Sequence, residues 1–318
     1  MTEQQAPPGP PAPPAPPAPY VAQTEAAQWG FEPEFLRKLE RLEMLARKVF
    51  QGTLRGEHAT NRRGRGLEFA DFRPYQPGDD LRYVDWNIFS RLDQLFVKLY
   101  ASEEDLTLHI LLDVSASMGF GTPSKFDYAR RLAAALAYIG LNSMDRVSLS
   151  AFSSVWEGSV TGLKSRQRIR AVLSYLSALR CAGASDFTQA FVERGAPLAR
   201  RGMVVLISDL LNEHGVENAI RAIRAAGHDL VVIQVLAEEE IEPPLDGAFR
   251  LVDAETGQAM RVTVDAQLRA AYQSHFAATL SQLEALTRRL GVEYLRTSTA
   301  IAFEDIVLRY LRVGGHWR

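Results

Sequence analysis

The sequence has little of what several classes of protein require. Cys181 is the only cysteine in 318 residues, so the chain can form neither an internal disulfide nor a thiolate metal site. No uninterrupted apolar run is long enough to span a bilayer. The G-x-x-x-x-G-K-[ST] string of nucleotide-binding loops and the G-x-S-x-G nucleophile elbow are both missing. The sequence therefore predicts neither a membrane-spanning protein nor a nucleotide hydrolase, and it lacks the usual signature of a serine hydrolase.

The chain also has no large excess of either positive or negative charge. The chain has 36 Lys and Arg against 38 Asp and Glu, a formal net charge of −2, which gives no overall attraction to nucleic acid or to a membrane surface. The first residues include Glu3 and several prolines, where a signal peptide would carry basic and apolar residues. A single cysteine is typical of a reducing compartment. We expect a soluble, cytoplasmic protein with no nucleic-acid partner and no transmembrane segment.

The first hundred residues divide into three stretches of different composition. Residues 1–28 are rich in proline and alanine and predict a disordered tail with polyproline II character. Residues 29–63 combine a basic amphipathic helix with a loop rich in glycine and arginine. That loop has no interleaved aromatics to stack bases, so a mobile basic loop is a better interpretation than a nucleic-acid site. Residues 64–103 predict an aromatic and acidic, β-rich module packed on the main domain.

Two interpretations of the charges in residues 64–103 remain open. In the first, the arginines pair with nearby acids and the aromatics form a small satellite core. Under either interpretation Trp86 is expected to be a largely buried anchor, and its truncation would cost about 3–5 kcal/mol if it is core. In the second, exposed charges after the Pro77-Gly78 turn form a partner-binding surface. The candidates for that surface are Asp79, Asp80, Arg82 and Asp85.

Residues 104–318 alternate apolar segments with helical patterns. The run from Leu106 to Leu112 is too short for a typical helix and lacks helical spacing, so it predicts a buried strand. Residues 203–209 and 229–236 have the same unbroken apolar character, which is typical of parallel strands covered on both faces. We therefore predict an α/β fold with a doubly wound, mostly parallel sheet and an N-terminal helical and β extension. A β-hairpin is expected over residues 248–264.

Oxygen-bearing side chains follow the ends of two predicted central strands and fill the loop 183–188 between them in sequence. Because the carboxyl ends of parallel strands open on the same edge of a sheet, we expect these side chains to converge. Carboxylates and hydroxyls suit Mg²⁺, Mn²⁺ or Ca²⁺ better than zinc or copper. Each also has a purely structural explanation as a turn former or a helix cap. The candidate metal ligands are Asp113, Ser115, Ser117, Ser185 and Asp209.

The string D-V-S-A-S-M resembles the D-x-S-x-S motif of von Willebrand factor A domains, the metal-ion-dependent adhesion site. The string G-A-S-D-F-T-Q-A-F is similar to that family's second loop, with Ser185 at the threonine ligand position, and Asp209 matches the third-loop aspartate. The resemblance covers roughly residues 104–312. It implies a von Willebrand factor A-like fold and a divalent cation that accepts a carboxylate from a protein partner as its sixth ligand.

The segment G-R-G-L-E-F-A-D-F-R-P-Y-Q-P-G-D-D-L-R-Y-V-D-W resembles a block that precedes this domain in a widespread bacterial family of unknown function. Those proteins are typically encoded beside MoxR-type AAA+ ATPases. From the candidate site and this resemblance we predict a divalent-metal-dependent protein-interaction module that acts as an adaptor or cofactor of such an ATPase in protein remodelling or maturation, with a client protein that supplies the carboxylate. The alternative is a metal-dependent hydrolase, which a base within about 3.2 Å of the Ser115 or Ser117 hydroxyl would favour.

Overall fold

Two α-helices, two strands and a short 3₁₀ turn precede the main sheet in the part of the chain that the structure describes. The structure, a computed structural model, describes residues 31, 33–53, 63–101, 107–143, 146–212, 215–244 and 246–314. The predicted tail over residues 1–28 lies outside them. The first elements are helix α1 (Pro33–Thr53), strand β1 (Arg63–Pro74), helix α2 (Trp86–Leu92) and strand β2 (Phe96–Ala101). Among the helices of these ranges, none has the length and apolar character needed to cross a bilayer.

The main domain is built on one six-stranded sheet. Its elements in chain order are β3 (Thr107–Asp113), α3 (Lys125–Asn142), β4 (Arg146–Phe152), β5 (Trp156–Leu163), α4 (Ile169–Ala178), β6 (Met203–Ser208), α5 (Val216–Ala225), β7 (Asp229–Leu236), α6 (Glu238–Ile241), β8 (Gly247–Val252), β9 (Ala259–Val264), α7 (Ala266–Arg289), β10 (Glu293–Ser298) and α8 (Phe303–Gly314). The strand order is β10-β7-β6-β3-β4-β5. All neighbours are parallel except β5, which runs antiparallel to β4.

Both faces of this sheet are covered by helices, which is why its central strands are apolar throughout. Ile110 and Leu112 face one core, which α1, α3, α4 and α8 share. Leu111, between them, faces a second core on the side of α5 and α7. Side chains of a strand point alternately to its two sides, so a strand covered on both faces needs apolar residues at every position. The prediction of a doubly wound, mostly parallel α/β fold is confirmed.

Helix α3 lies unusually close to the sheet. Ser124 caps its amino end by accepting a hydrogen bond from the backbone N–H of Asp127 at 3.0 Å. Near its other end, a Cβ atom on Gly140 would come within 2.9 Å of a Val147 methyl and 3.0 Å of a Leu108 methyl. A larger residue there would require a shift of the helix or of these two side chains. This close contact lies near the end of α3, beside the starts of β3 and β4.

The N-terminal module partly matches the first of the two interpretations. Strands β1 and β2 pair antiparallel, and Arg73 donates to Asp79 at 2.7 Å. The expectation of a buried Trp86 is wrong, because 59% of this residue is exposed. The seven-residue helix that begins with Trp86 contributes no buried residue. Its described ring contact is an edge-on approach to Phe89, with centroids 6.2 Å apart.

The exposure of Trp86 predicts a small effect of its removal. Trp86→Ala should change the free energy of unfolding by less than about 1 kcal/mol, because most of the lost surface already faces water. Leu132→Ala is the matched control, since Leu132 is fully buried and should cost about 2–5 kcal/mol. Urea unfolding of both variants measures this, and a loss of 3 kcal/mol or more for Trp86→Ala would contradict it.

Candidate metal centre at the carboxyl edge of the sheet

Three neighbouring parallel strands, β3, β6 and β7, end on the same edge of the sheet. The chain that follows β3 is joined there to the loop before the π-helical turn Thr188–Glu193. Ala116 donates its backbone N–H to the Gly183 carbonyl, and Ala182 donates to the Val114 carbonyl, both at 2.9 Å. These two bonds hold distant parts of the sequence side by side, so their oxygen-bearing side chains face a common space.

Asp113, at the end of β3, is fully buried. One of its carboxylate oxygens accepts a hydrogen bond from the backbone N–H of Ser115 at 2.9 Å, and the other accepts from the Ser208 hydroxyl at 2.6 Å. Burial, with the nearby charge of Asp209 as the next cause, raises the pKa of Asp113 to about 7. In the described part of the chain this carboxylate has no ion pair. Its ionised form therefore lacks a compensating positive charge.

Three serine hydroxyls line the same edge. The Ser115 and Ser117 hydroxyl oxygens are 3.1 Å apart. Ser185 is 3% exposed, and its hydroxyl has no hydrogen-bond partner. The Asn212 side chain donates to its carbonyl at 2.7 Å and so fixes the loop. A buried hydroxyl without a partner is costly and uncommon, so the Ser185 oxygen is available to a ligand.

Asp209 is held by a buried cation. The ammonium of Lys125, which is fully buried, donates to the Asp209 carboxylate at 2.7 Å and also to Glu240. Burial alone would lower the pKa of Lys125, but the attraction of the two carboxylates outweighs it and the pKa is raised. The other Asp209 oxygen accepts only a long bond, 3.4 Å, from the Leu211 backbone N–H. One oxygen of Asp209 thus remains open to a cation or a water molecule.

A carboxylate from the β8–β9 hairpin lies near this edge. Burial raises the pKa of the half-buried Glu255, nearby Ser185 and Ser117 lower it, and the charge of Asp209 raises it further. Glu255 is therefore within electrostatic range of the three loops.

The five candidate metal ligands all lie at this edge, and the four candidate partner-binding residues lie in the N-terminal module. Asp79 accepts two bonds from Arg73, and Asp80 caps a short 3₁₀ turn and pairs with Arg82. Asp85 caps α2 and pairs with Lys98 at 2.9 Å. Asp79 is less exposed than its turn suggests, with 19% of its side chain accessible. Charge reversal at Asp79 would therefore disturb the module as well as any partner.

The donor set fits a hard cation. No group of three or more His, Cys, Asp or Glu side chains within the described ranges could hold a metal ion, so a cation at this edge would need the serine hydroxyls as ligands beside Asp113 and Asp209. Hydroxyl and carboxylate oxygens are suited to Mg²⁺, Mn²⁺ and Ca²⁺. The unpaired Ser185 hydroxyl and the uncompensated Asp113 carboxylate are what an oxygen-ligated cation would satisfy.

Sequence reasoning missed three groups of this site. Lys125 follows a helix cap and looks like a solvent-facing residue of the first turn, and no local pattern distinguishes it. Glu255 lies at the tip of a predicted hairpin, but nothing in the sequence says where that hairpin folds. Ser208 had a signal, because it directly precedes Asp209 at the end of a predicted strand.

Comparisons with known proteins identify a family and related sequences. A family model described as "Protein of unknown function DUF58" matches residues 71–282. The uncharacterized protein Rv1480 of Mycobacterium tuberculosis is 30% identical over 273 residues, which cover 84% of this chain and 86% of that protein. The uncharacterized protein MAV169 of Mycobacterium avium is 34% identical over 116 residues, 36% of this chain and 68% of its own length.

Among solved structures, the conserved hypothetical protein BatB from Bacteroides thetaiotaomicron is similar with a TM-score of 0.41 and 15% identity. The match covers 67% of this chain and 100% of BatB. The SpRpn10 VWA domain is similar with a TM-score of 0.35 and 12% identity, over 64% of this chain and 93% of that domain.

Proposed function

Because the chain belongs to the DUF58 family, whose function is unknown, we propose its function from the candidate site. The protein is a divalent-metal-dependent protein-interaction module. Mg²⁺, or Mn²⁺ or Ca²⁺ in its place, is held at the carboxyl edge of the sheet by Ser115, Ser117, Ser185, Asp113 and Asp209. When bound, the cation supplies a Lewis acid that accepts a carboxylate from a partner protein.

The observation that carries this proposal is the Ser185 hydroxyl. It is buried, it has no hydrogen-bond partner, and the loop around it is held in place by Asn212 and by the chain that follows β3. A helix-capping serine would use its hydroxyl on a backbone N–H. A serine that serves as a metal ligand leaves its hydroxyl without such a partner, and the Ser185 hydroxyl is in that state.

The balance of charge supports the same proposal. Asp113, Asp209, Glu240 and Glu255 bring four carboxylates to this edge. Lys125 pairs with two of them, and neither Asp113 nor Glu255 has an ion pair in the described part of the chain. A buried carboxylate without a counterion is unfavourable, and a divalent cation is a species that would neutralise Asp113.

Ser185→Ala tests the proposal. Removal of an unpaired hydroxyl should leave the stability of the metal-free protein within about 0.5 kcal/mol of wild type, while the affinity for Mn²⁺ falls at least about tenfold because a direct ligand is lost. Calorimetric titration with Mn²⁺ and urea unfolding in a chelator measure the two quantities. Equal Mn²⁺ affinity in the variant and the wild type would overturn the metal centre.

Ser148→Ala is the matched control. The Ser148 hydroxyl lies on β4, away from this edge, and accepts a bond from the Gly162 backbone N–H at 3.1 Å. Its removal leaves that N–H without its partner, so stability should fall by about 1–2 kcal/mol. Mn²⁺ affinity should stay at the wild-type value. A structural hydroxyl and a ligand hydroxyl are thus distinguished: Ser148→Ala should lose stability and keep its Mn²⁺ affinity, and Ser185→Ala should keep its stability and lose Mn²⁺ affinity.

The partners in this proposal are an AAA+ ATPase of the MoxR type and a client protein that supplies the carboxylate. The ATPase is proposed because of the family resemblance of residues 64–86. The client carboxylate is proposed because of the chemistry of the site. Titration of a MoxR-type ATPase against the full chain, in Mg²⁺ and in EDTA, addresses both. Equal affinity for the ATPase in Mg²⁺ and in EDTA would show that ATPase binding does not require the metal centre.

A metal-dependent hydrolase at the same site is the second candidate, and one observation favours it. The Glu255 carboxylate lies close enough to the Ser117 hydroxyl for that hydroxyl to lower the pKa of Glu255, and a carboxylate beside a hydroxyl is the arrangement of a general base and a nucleophile. The nucleophile elbow, however, is missing from the sequence. Release of p-nitrophenol from p-nitrophenyl acetate that requires both Mn²⁺ and Glu255 would favour the hydrolase over the interaction module.

A further inference from the structure

Helix α2 and the turn before it expose an unusual concentration of apolar side chains. Of the fifteen large apolar residues that are exposed in the described ranges, five lie within twelve residues of the N-terminal module. These five form what we call the tryptophan patch: Leu81, Tyr83, Trp86, Phe89 and Leu92. Exposed apolar clusters of this kind mark interaction sites on folded proteins.

The tryptophan patch combines aromatic rings with a hydrogen-bond donor and no net charge. The Trp86 and Phe89 rings meet at 88°, so they form a corner rather than a flat surface. Among the described residues, the Trp86 indole N–H has no acceptor. Residues 80–93 carry three acids and two arginines, and Lys98 pairs with one of these acids at 2.9 Å, so the charges balance. The patch therefore suits an uncharged, apolar ligand that offers carbonyl oxygens.

The chain itself contains a segment with these properties. Residues 7–19 hold nine of its sixteen prolines, and residues 4–24 carry no charged side chain. The prolines follow the repeat P-P-x, with glycine or alanine at every third residue. A repeat of three matches the three residues per turn of a polyproline II helix, so it predicts prolines along two edges of that helix and small residues along the third. Such a helix has no internal hydrogen bonds, which leaves its carbonyls available, and proline-rich segments bind surfaces lined by aromatic rings.

The proline segment can reach the tryptophan patch from where it is anchored. Eleven residues, 20–30, connect it to Phe31, which is buried and stacks on Phe35 at the start of α1. An extended connection of that length spans at most about 36–40 Å. Helix α1 has 21 residues and is about 32 Å long. The connection alone can therefore run past the far end of α1, from which the chain continues to the N-terminal module.

We propose that residues 7–19 dock as a polyproline II helix on the tryptophan patch of the same chain. The prolines pack in the corner between the Trp86 and Phe89 rings, and the indole N–H donates to a backbone carbonyl of the segment. A tethered segment has an effective concentration on the order of 1 mM, so a dissociation constant of about 0.5 mM for the free segment keeps roughly two-thirds of the molecules closed. Any partner that binds the patch then has to displace the segment first. Neither the docking nor its test involves the metal centre.

Fluorine NMR of the full chain labelled with fluorotryptophan tests the docking. The Trp86 resonance is identified by its absence from Trp86→Phe, and a soluble nitroxide reports the exposure of the indole through the relaxation that it causes. The combined variant Pro10→Gly, Pro13→Gly and Pro16→Gly removes three prolines from one edge. It should raise the relaxation of Trp86 roughly threefold, because the closed fraction falls from about two-thirds to near zero. A synthetic peptide of residues 4–20, added in excess to this variant, should restore the wild-type value.

The combined variant Ala12→Ser, Ala15→Ser and Ala18→Ser is the matched control, because it alters the same segment and keeps all nine prolines. It should retain the wild-type relaxation at Trp86. Equal relaxation in wild type and the proline variant would overturn the docking, and so would an equal increase in the serine control or a peptide without effect. A wild-type relaxation that falls as the protein concentration rises would overturn docking within one chain and assign the segment to the patch of a second copy.

Discussion

Asp113→Asn is expected to lower the affinity for Mn²⁺ at least a hundredfold and, in the absence of metal, to raise the stability of the protein at pH 8. The two effects have opposite signs because the ionised Asp113 carboxylate binds the cation but destabilises the fold when the metal is absent. A pKa of about 7 in place of 3.8 corresponds to roughly 4 kcal/mol of unfavourable free energy in the ionised native state. Asparagine keeps the shape of the side chain without that charge.

The gain in stability will be smaller than this figure. The asparagine carbonyl can still accept from the Ser115 N–H, but the Ser208 hydroxyl loses the carboxylate to which it donates. Losing that acceptor costs about 1–3 kcal/mol. A net gain of about 1–3 kcal/mol is therefore expected from the two terms. A side chain needed only as a hydrogen-bond acceptor would give a loss at every pH.

The pH dependence of this difference has a definite sign. The native state keeps its Asp113 proton up to about pH 7, while the unfolded chain releases it near pH 4. Between these values the native state binds more protons than the unfolded state, so the stability of wild type falls as the pH rises. The advantage of Asp113→Asn should be absent at pH 4, grow up to pH 7 and stay constant above it.

Urea unfolding in EDTA from pH 4 to pH 8, beside Mn²⁺ titrations at pH 8, measures both effects. Added Mn²⁺ should stabilise wild type by mass action and leave the variant unchanged. A variant that is less stable than wild type at pH 8 would make Asp113 a structural acceptor. A variant that binds Mn²⁺ normally would remove it from the metal centre.

Lys125→Met is expected to cost about 3–5 kcal/mol of folding stability, because it leaves Asp209 and Glu240 without their buried counterion. Methionine fills a similar volume, so the loss reports the charge more than the packing. Lys125 is fully buried, and its two partners are 3% and 12% exposed at their side chains. Solvent therefore screens this interaction little.

Lys38→Met is the comparison, since Lys38 pairs with Glu304 at 3.1 Å on the surface. An exposed pair of this kind contributes about 0–1 kcal/mol. Lys125→Met combined with Asp209→Asn and Glu240→Gln should recover most of the lost stability, because no unpaired charge is then left behind. Urea unfolding of the series at pH 7.5 measures the free energy of unfolding of each variant. Equal losses for Lys125→Met and Lys38→Met would show that the buried ion pairs contribute no more to stability than the surface pair.

Much of the fold could be predicted because β3, β6 and β7 have unbroken apolar sequences between helical patterns. A strand covered on both faces requires such a sequence, and the parallel order of these strands then brings Asp113 and Asp209 to one edge. The spacing of the serines placed Ser115, Ser117 and Ser185 at the same edge. These inferences depend on chain geometry that local sequence determines.

Lys125, Trp86 and Glu255 could not be predicted, for three different physical reasons. A lysine in the first turn of a helix usually faces water, and Lys125 is buried because Asp209 and Glu240, which are distant in the sequence, receive its ammonium. Trp86 is an aromatic residue that propensity would bury, but the short helix that it begins contributes no buried residue. The position of Glu255 depends on how a self-contained hairpin docks, and long-range docking leaves no trace in a local pattern.

The closed hydrogen-bonding of the β8–β9 hairpin has a consequence for how this domain can change over time. Every ladder bond of the hairpin is internal, so the six-stranded sheet neither gains nor loses a strand partner when the hairpin is altered. The hairpin is in this sense an insert in the connection from β7 to α7. A substitution at its tip can therefore leave the pairing of the six-stranded sheet unchanged, so the hairpin and the sheet can evolve separately in this chain.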